Sequence, residues 1–373
     1  MPDSNGTSLR GMTVAGSPAV RYRERRVNRA VYGLGLLALL IPWLFWSLQL
    51  HAELSVPASM LARSGLTLRS FMHGNLLLFA SNPGSPFLLG VFLLASAAIG
   101  IGLVENDRMT GALFYTLEGP VRRRDLWGVK VLGGGLAIVS VAAFGTACTL
   151  AAAAASDNLG LALPILARGL GDAVYGLSFF ASALAMGGAM AAVFSVIAVG
   201  TWAFLPTALA GLVTVLFQRQ VTRYVVLAGG QRITVRSMTF LSPWLAHLPS
   251  VLQGLSPFSG LSAAWSPSAQ AVLVVGYAVW TVFMVWLGIF AFDRAPFERL
   301  RDGFFFPPLW NVYFAFLALA SGLLLTTIVT QGEILGLGWA AIYAAFAVSG
   351  FFFWRAAMKR RERRGAWRSA PLL

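Results

Sequence analysis

The sequence predicts an all-α, polytopic membrane protein of about eight transmembrane helices, with both termini cytoplasmic and a short cytoplasmic helix between spans two and three. Three observations carry that reading: an apolar composition, uncharged runs of membrane-spanning length, and a lopsided distribution of Lys and Arg. Apolar residues make up 57% of the chain and charged residues 11%, with a mean hydropathy of +0.73, whereas a soluble domain is about half apolar and a quarter charged. The length of 373 residues would allow two or three soluble domains, but the apolar runs leave no stretch able to bury a separate soluble core.

Uncharged apolar runs of about twenty residues, enough to cross the hydrocarbon of a bilayer, fall near 30–50, 87–104, 130–155, 271–292, 309–330 and 335–354. The first follows a polar, Gly/Ser-containing stretch and the arginines Arg21, Arg23, Arg25, Arg26 and Arg29. It is too long for a signal-peptide core and lacks a small-residue cleavage site, so it is expected to remain as the first span. The run from Ala173 to Phe217 has 45 residues without a charge. As one helix it would be roughly 67 Å long, more than twice the hydrocarbon thickness. A fold-back is therefore expected, around Val199-Gly200-Thr201, which makes eight spans.

The basic residues test that count. With the N-terminus inside, segments 1–30, 105–130, 293–308 and 355–373 carry 6, 5, 3 and 7 Lys/Arg. The opposite loops, 51–86, 156–172, 218–270 and 331–334, carry 2, 1, 4 and 0. This is a strong positive-inside bias. A single span over 173–217 would move the Arg355 to Arg368 cluster outside, which favours the fold-back. The net charge of +14, which in a soluble protein would suggest nucleic acid, is thus assigned to topology, with no nucleic-acid partner expected. The C-terminal arginines are expected to anchor on lipid headgroups.

Among the outer segments, Leu54 to Pro86 carries Met60, Leu61, Leu66, Leu68 and Phe71 among polar residues, as a short amphipathic helix on the outer surface would. Gln218 to Pro267 begins basic and ends apolar and proline-rich, and is expected to be interfacial rather than a further span. Ala181, Ala185 and Ala189 recur at helical spacing, which allows close helix packing. Trp127, Trp310, Trp339 and Trp354 fall near span ends, where interfacial anchors sit.

Catalytic constellations are not visible. Glu105, Asp107, Asp172 and Glu333 are placed at span ends, and His51, His73 and His247 in outer segments, where they read as surface histidines rather than a metal site. The lone cysteine, Cys148, excludes an intramolecular disulfide framework and reads as packing within an apolar run. No Gly-Lys dipeptide occurs, so there is no G-x-x-x-x-G-K-[ST] phosphate loop, and no serine nucleophile elbow has plausible base partners. The chain is read as no enzyme by itself, with no cofactor or metal of its own.

The most informative stretch runs from Asp107 to Lys130. Met109, Leu113, Phe114 and Leu117 fall on one face of a two-turn helix closed by Gly119-Pro120. Such a helix suits a groove on a partner, with Arg122 to Arg124 steering the encounter. It would equally suit lying on the bilayer, the arginines then only setting topology. From Gly111 the spacing continues through Leu113, Leu117, Pro120-Val121 and Arg123 to Lys130, with Asp107 four residues before. This resembles the cytoplasmic segment between the second and third spans of the permease subunits of ABC transporters of the ABC-2 type. Arg122 departs from the Ser or Thr common there, and Asp107 from the common Glu.

The resemblance covers 30–295 as a six-span permease core; outside it the sequence divides into a disordered basic N-terminal tail over 1–29, two additional transmembrane helices over 296–354 that are extra to that core, and a basic cytoplasmic tail over 355–373. The resemblance implies a membrane-spanning subunit of an ATP-driven transporter, an exporter by the absence of a binding-protein dock, in the cell membrane; separately, high Ala, Gly and Arg usage with little Lys points to a bacterial source. The partners implied are a cytosolic ABC ATPase carrying ATP and Mg, and a second permease, identical or homologous. The residues implied in coupling to the ATPase are Asp107, Arg108, Gly111, Leu113, Phe114, Leu117, Pro120, Arg123 and Lys130. Two alternatives stand beside it: an ATP-independent secondary transporter or lipid scramblase, which would need buried ionisable groups, and a membrane assembly subunit that transports nothing.

Overall fold

The structure, a computed structural model, describes residues 18–55, 58–65, 67–81, 86–109, 123–190, 195–200, 218–226, 232–240, 267–294, 309–329 and 341–353, with a few isolated positions between them. These residues are nearly all helical. Packing divides the chain into two units, Met1–Val196 with Ala263–Phe305, and Ile197–Ser262 with Phe306–Leu373.

The first unit opens with α1 (Pro18–Val27) and α2 (Arg29–Leu54), separated by a bend at Asn28. Next come α3 (Ala58–Arg63), α4 (Leu68–Ser81), α5 (Pro86–Met109), α6 (Arg123–Ala155), α7 (Ala162–Ala189) and α8 (Pro267–Arg294). Proline is the first residue of α1, α5 and α8, where its missing N–H goes unused and its fixed φ suits a helix start. Among the described residues, five stretches are long and apolar enough to cross a membrane: Arg29–Gln49, Leu89–Met109, Arg123–Ala155, Leu159–Ala189 and Ala271–Arg294. That is the character of a multi-pass membrane protein.

The axis of this unit is α7, 72% of whose apolar stretch is buried, against 22% for the α2 stretch and 17% for α8. It packs on α5, α6 and α8, and small residues explain how it touches three neighbours. Gly176 lies under Phe92 and Ile138, and Gly169 under Thr146. From the α5 side, a methyl on Gly100 would lie 2.6 Å from the Phe180 carbonyl oxygen and 2.9 Å from the Leu184 nitrogen. The two backbones thus approach as closely as glycine permits. Ser178 and Ser182 return their hydroxyls to the helix, donating to the carbonyls of Tyr175 and Ser178 at 2.7 Å each.

Several sequence expectations are corrected here. Helix α7 begins at Ala162, well before the run that opens at Ala173, so Asp172 lies inside a helix rather than at its outer end. Arg168, one turn earlier, pairs with it at 3.0 Å and neutralises it within the same helix. Helix α7 ends at Ala189, with Met190 extended at φ −150° and ψ 166°, and residues 195–200 are helical; Thr201, in the expected fold-back, lies outside the described residues. The Leu54 to Pro86 segment forms two helices, and α4 packs against α2, α6 and α7 through buried Met72 and Leu76. Trp127 is no interfacial anchor: it is fully buried, stacked on Phe292 with centroids 5.4 Å apart, and Gly188 and Gly288 leave the space its indole occupies.

In the second unit, β1 (Gln218–Val226) and β2 (Arg232–Phe240) form an antiparallel pair with register Gln218↔Phe240 to Val226↔Arg232. The all-α expectation fails at this pair. Helices α9 (Leu309–Val329) and α10 (Ala341–Phe353) occupy the places of the two runs near the C-terminus. They cross where a methyl on Gly322 would lie 2.9 Å from the Ala347 nitrogen, and Tyr343 Oη donates to the Leu319 carbonyl at 3.3 Å.

Candidate functional site

Helix α1 and the bend that follows it present Val20, Glu24 and Asn28, spaced four apart, as a buried row. The last turns of α5 contribute Leu103, Asn106 and Asp107, and the second turn of α6 contributes Lys130, which is completely buried. The Lys130 ammonium reaches Glu24 Oε1 at 2.9 Å, Asp107 Oδ2 at 2.7 Å and the Leu103 carbonyl at 2.8 Å. All three of its donors are used. Asn28 Nδ2 donates to Glu24 Oε1 at 2.8 Å and to Asp107 Oδ1 at 3.1 Å, holding the carboxylates side by side. Asn106 Nδ2 donates in turn to Asn28 Oδ1 at 2.8 Å and to the Val27 carbonyl at 2.9 Å. Burial pushes the Glu24 carboxyl above its usual range; Lys130 opposes that shift and the Asp107 charge adds to it.

A buried ion pair adds little net stability over an apolar replacement, but removing one partner leaves uncompensated charge and costs about 3–5 kcal/mol. The cluster therefore fixes geometry. It holds the start of α6, the end of α5 and α1 in one register.

Further ties reach the other helices of this unit at the same end. Arg108 Nη1 pairs with Glu105 Oε2 at 3.0 Å and donates to the Met190 carbonyl at 3.1 Å, just past the end of α7. Arg123 Nη1 donates to the Asp293 carbonyl at 2.8 Å, in the last turn of α8, and Arg124 Nη2 pairs with Asp293 Oδ2 at 3.0 Å. A guanidinium on the last carbonyls of a helix meets the negative end of its dipole. The two roots of segment 110–122 are thus fastened to α1, α5, α6, α7 and α8.

Of the residues the sequence singled out, Asp107 and Lys130 meet directly, while Arg108 and Arg123 are placed on two different helix ends. Gly111, Leu113, Phe114, Leu117 and Pro120 lie outside the described residues, as does His247. The sequence reading missed Glu24, Asn28, Asn106 and Asp293. Glu24 is a lone acid among five arginines and reads as a solvated charge. Its one signal is its place in the Val20, Glu24, Asn28 row, in which an apolar residue and an amide share its face. Among the described residues, no three His, Cys, Asp or Glu side chains converge as a metal site would require. Away from this end, His73 Nδ1 lies 3.2 Å from Asn158 Oδ1. Comparison of the chain with protein-family models, with curated proteins and with solved structures gives no match.

Proposed function

We propose that this chain is the membrane-spanning permease subunit of an ATP-driven ABC-2-type exporter, in which a separate cytosolic ATPase acts on the segment between α5 and α6. The observation that carries the reading is the 107–130 pattern together with the fastening of both its roots. A push on residues 110–122 would be delivered to five helix ends at once, because Glu24, Asp107 and Lys130 lock three of them together and Arg108 and Arg123 hold two more. An unanchored topology loop needs none of these ties. In this reading the arginine-bearing end faces the cytoplasm, the chain crosses the cell membrane about eight times, and two permeases line the path. The apolar spans suit a lipid-like or amphipathic cargo.

The test is co-purification with soluble ATPases expressed alongside the full chain, comparing the native protein with Leu113→Asp and Pro120→Ala. The expected result is an ATPase retained by the native chain and lost with Leu113→Asp while the variant still inserts. Retention by neither, or equally by all, would remove the reading.

A second reading, an ion-coupled transporter without ATP, is favoured by one observation: Asp172 is buried within a helix of spanning length. Its carboxylate is already matched by Arg168. Asp172→Asn combined with Arg168→Gln, which removes the pair without stranding a charge, separates the two readings, since it would abolish ion-coupled transport and leave ATP-driven transport within a few-fold of native.

A further inference from the structure

Next to the buried row of α1 runs a second row, Arg21, Arg25 and Arg29, also spaced four apart and exposed. These arginines line one end of a groove of about 670 Å³ between α1, α2 and α6, within the ~300–1,000 Å³ range of ligand pockets. Away from them the lining turns apolar: Leu36 of α2, then Leu132, Leu136 and Ala137 of α6 as far as Ser140. From Val129 to Ser140 this wall runs for about 16 Å along the helix axis. Its flank is open, since Leu132 is 50% and Leu136 68% exposed. One carboxylate also lines the groove, that of Glu24, but it is committed to Lys130.

We infer that this groove holds an anionic phospholipid, with its phosphate on Arg25 and Arg29 and the upper part of one acyl chain along α6. The division of the lining dictates the class. Guanidinium groups pair with phosphate oxygens through parallel N–H donors, and basic residues at a membrane surface select anionic headgroups. A zwitterionic choline headgroup would bring its own cation against three arginines. Free phosphate would leave the long apolar wall unused. Both α2 and α6 are long and apolar enough to cross a membrane, so the open flank of the groove faces acyl chains, and a lipid enters it sideways from its own leaflet. The inference rests on the membrane character of these helices and not on the transport reading.

The experiment is native mass spectrometry of the full chain in detergent, titrated with dioleoyl phosphatidylglycerol, dioleoyl phosphatidylcholine or glycerol 3-phosphate. The native protein is expected to retain phosphatidylglycerol over phosphatidylcholine by about tenfold, and to retain no glycerol 3-phosphate. Arg25→Gln/Arg29→Gln should erase the preference. Arg23→Gln/Arg26→Gln, which removes the same charge from neighbouring positions of α1 that do not line the groove, should keep it. Leu136→Trp, which fills the apolar wall at an exposed position, should lose the lipid with the arginines intact. Equal retention of the two lipids by the native chain, equal loss in both arginine pairs, or undiminished lipid in Leu136→Trp would each overturn the assignment. So would retention of glycerol 3-phosphate, which marks a free anion site, or conversion of dimers to monomers by Leu136→Trp, which marks an interface between copies.

Discussion

Lys130 carries the most at the scale of single residues, because its buried ammonium stands between two carboxylates. Lys130→Met leaves Glu24 and Asp107 facing each other without a cation, and is expected to destabilise the fold by about 3–5 kcal/mol. A thermal melt of the detergent-purified protein measures this as a drop in midpoint. Adding Glu24→Gln and Asp107→Asn to Lys130→Met removes the stranded charges and should recover most of the loss. If the single variant melts like the native protein, the cluster does not hold the helix ends. Arg124→Ala, by contrast, breaks a pair whose arginine is 69% exposed, and should change stability by no more than ~1 kcal/mol. Its neighbour Arg123 caps a helix end through a backbone carbonyl, a role the sequence cannot announce.

Two glycines make a matched test among the helices. Gly100→Ala puts a methyl against backbone atoms of α7, which cannot rotate away, and should cost about 1–3 kcal/mol. Gly90→Ala, in the same helix, meets nothing within 4 Å, and should be neutral or stabilise by up to ~1 kcal/mol. The same melts decide, and equal effects would mean α5 and α7 are not in backbone contact. The long apolar helices were legible because about twenty uncharged residues admit little else. What was misplaced has physical causes. Asp172 looked like the end of a span only because its partner, Arg168, is one turn away on the same helix. The strand pair was written in Val221-Thr222, Tyr224 to Val226 and Ile233 to Val235 around Gly229-Gly230, β-branched and aromatic runs on either side of a turn signal. A basic start and proline-rich end masked it.

Over the whole molecule, the sequence carried the membrane class, the arginine asymmetry and two partners of the cluster, Asp107 and Lys130, which are 23 residues apart in the chain and 2.7 Å apart in the fold. The third, Glu24, was illegible because its distance along the chain hides the proximity that folding supplies. In the proposed exporter, segment 110–122 receives an ATPase. Since Cys148 is the chain's one cysteine, a Cys148→Ser background allows a single reporter thiol at Phe114→Cys, with Val139→Cys on the exposed face of α6 as control. The measurement is cross-linking of each thiol in the membrane, with the product sequenced by mass spectrometry. Position 114 is expected to join to a soluble protein bearing a G-x-x-x-x-G-K-[ST] phosphate loop, and position 139 is not. Cross-links from position 114 only to lipid, or to no such ATPase, would contradict this expectation.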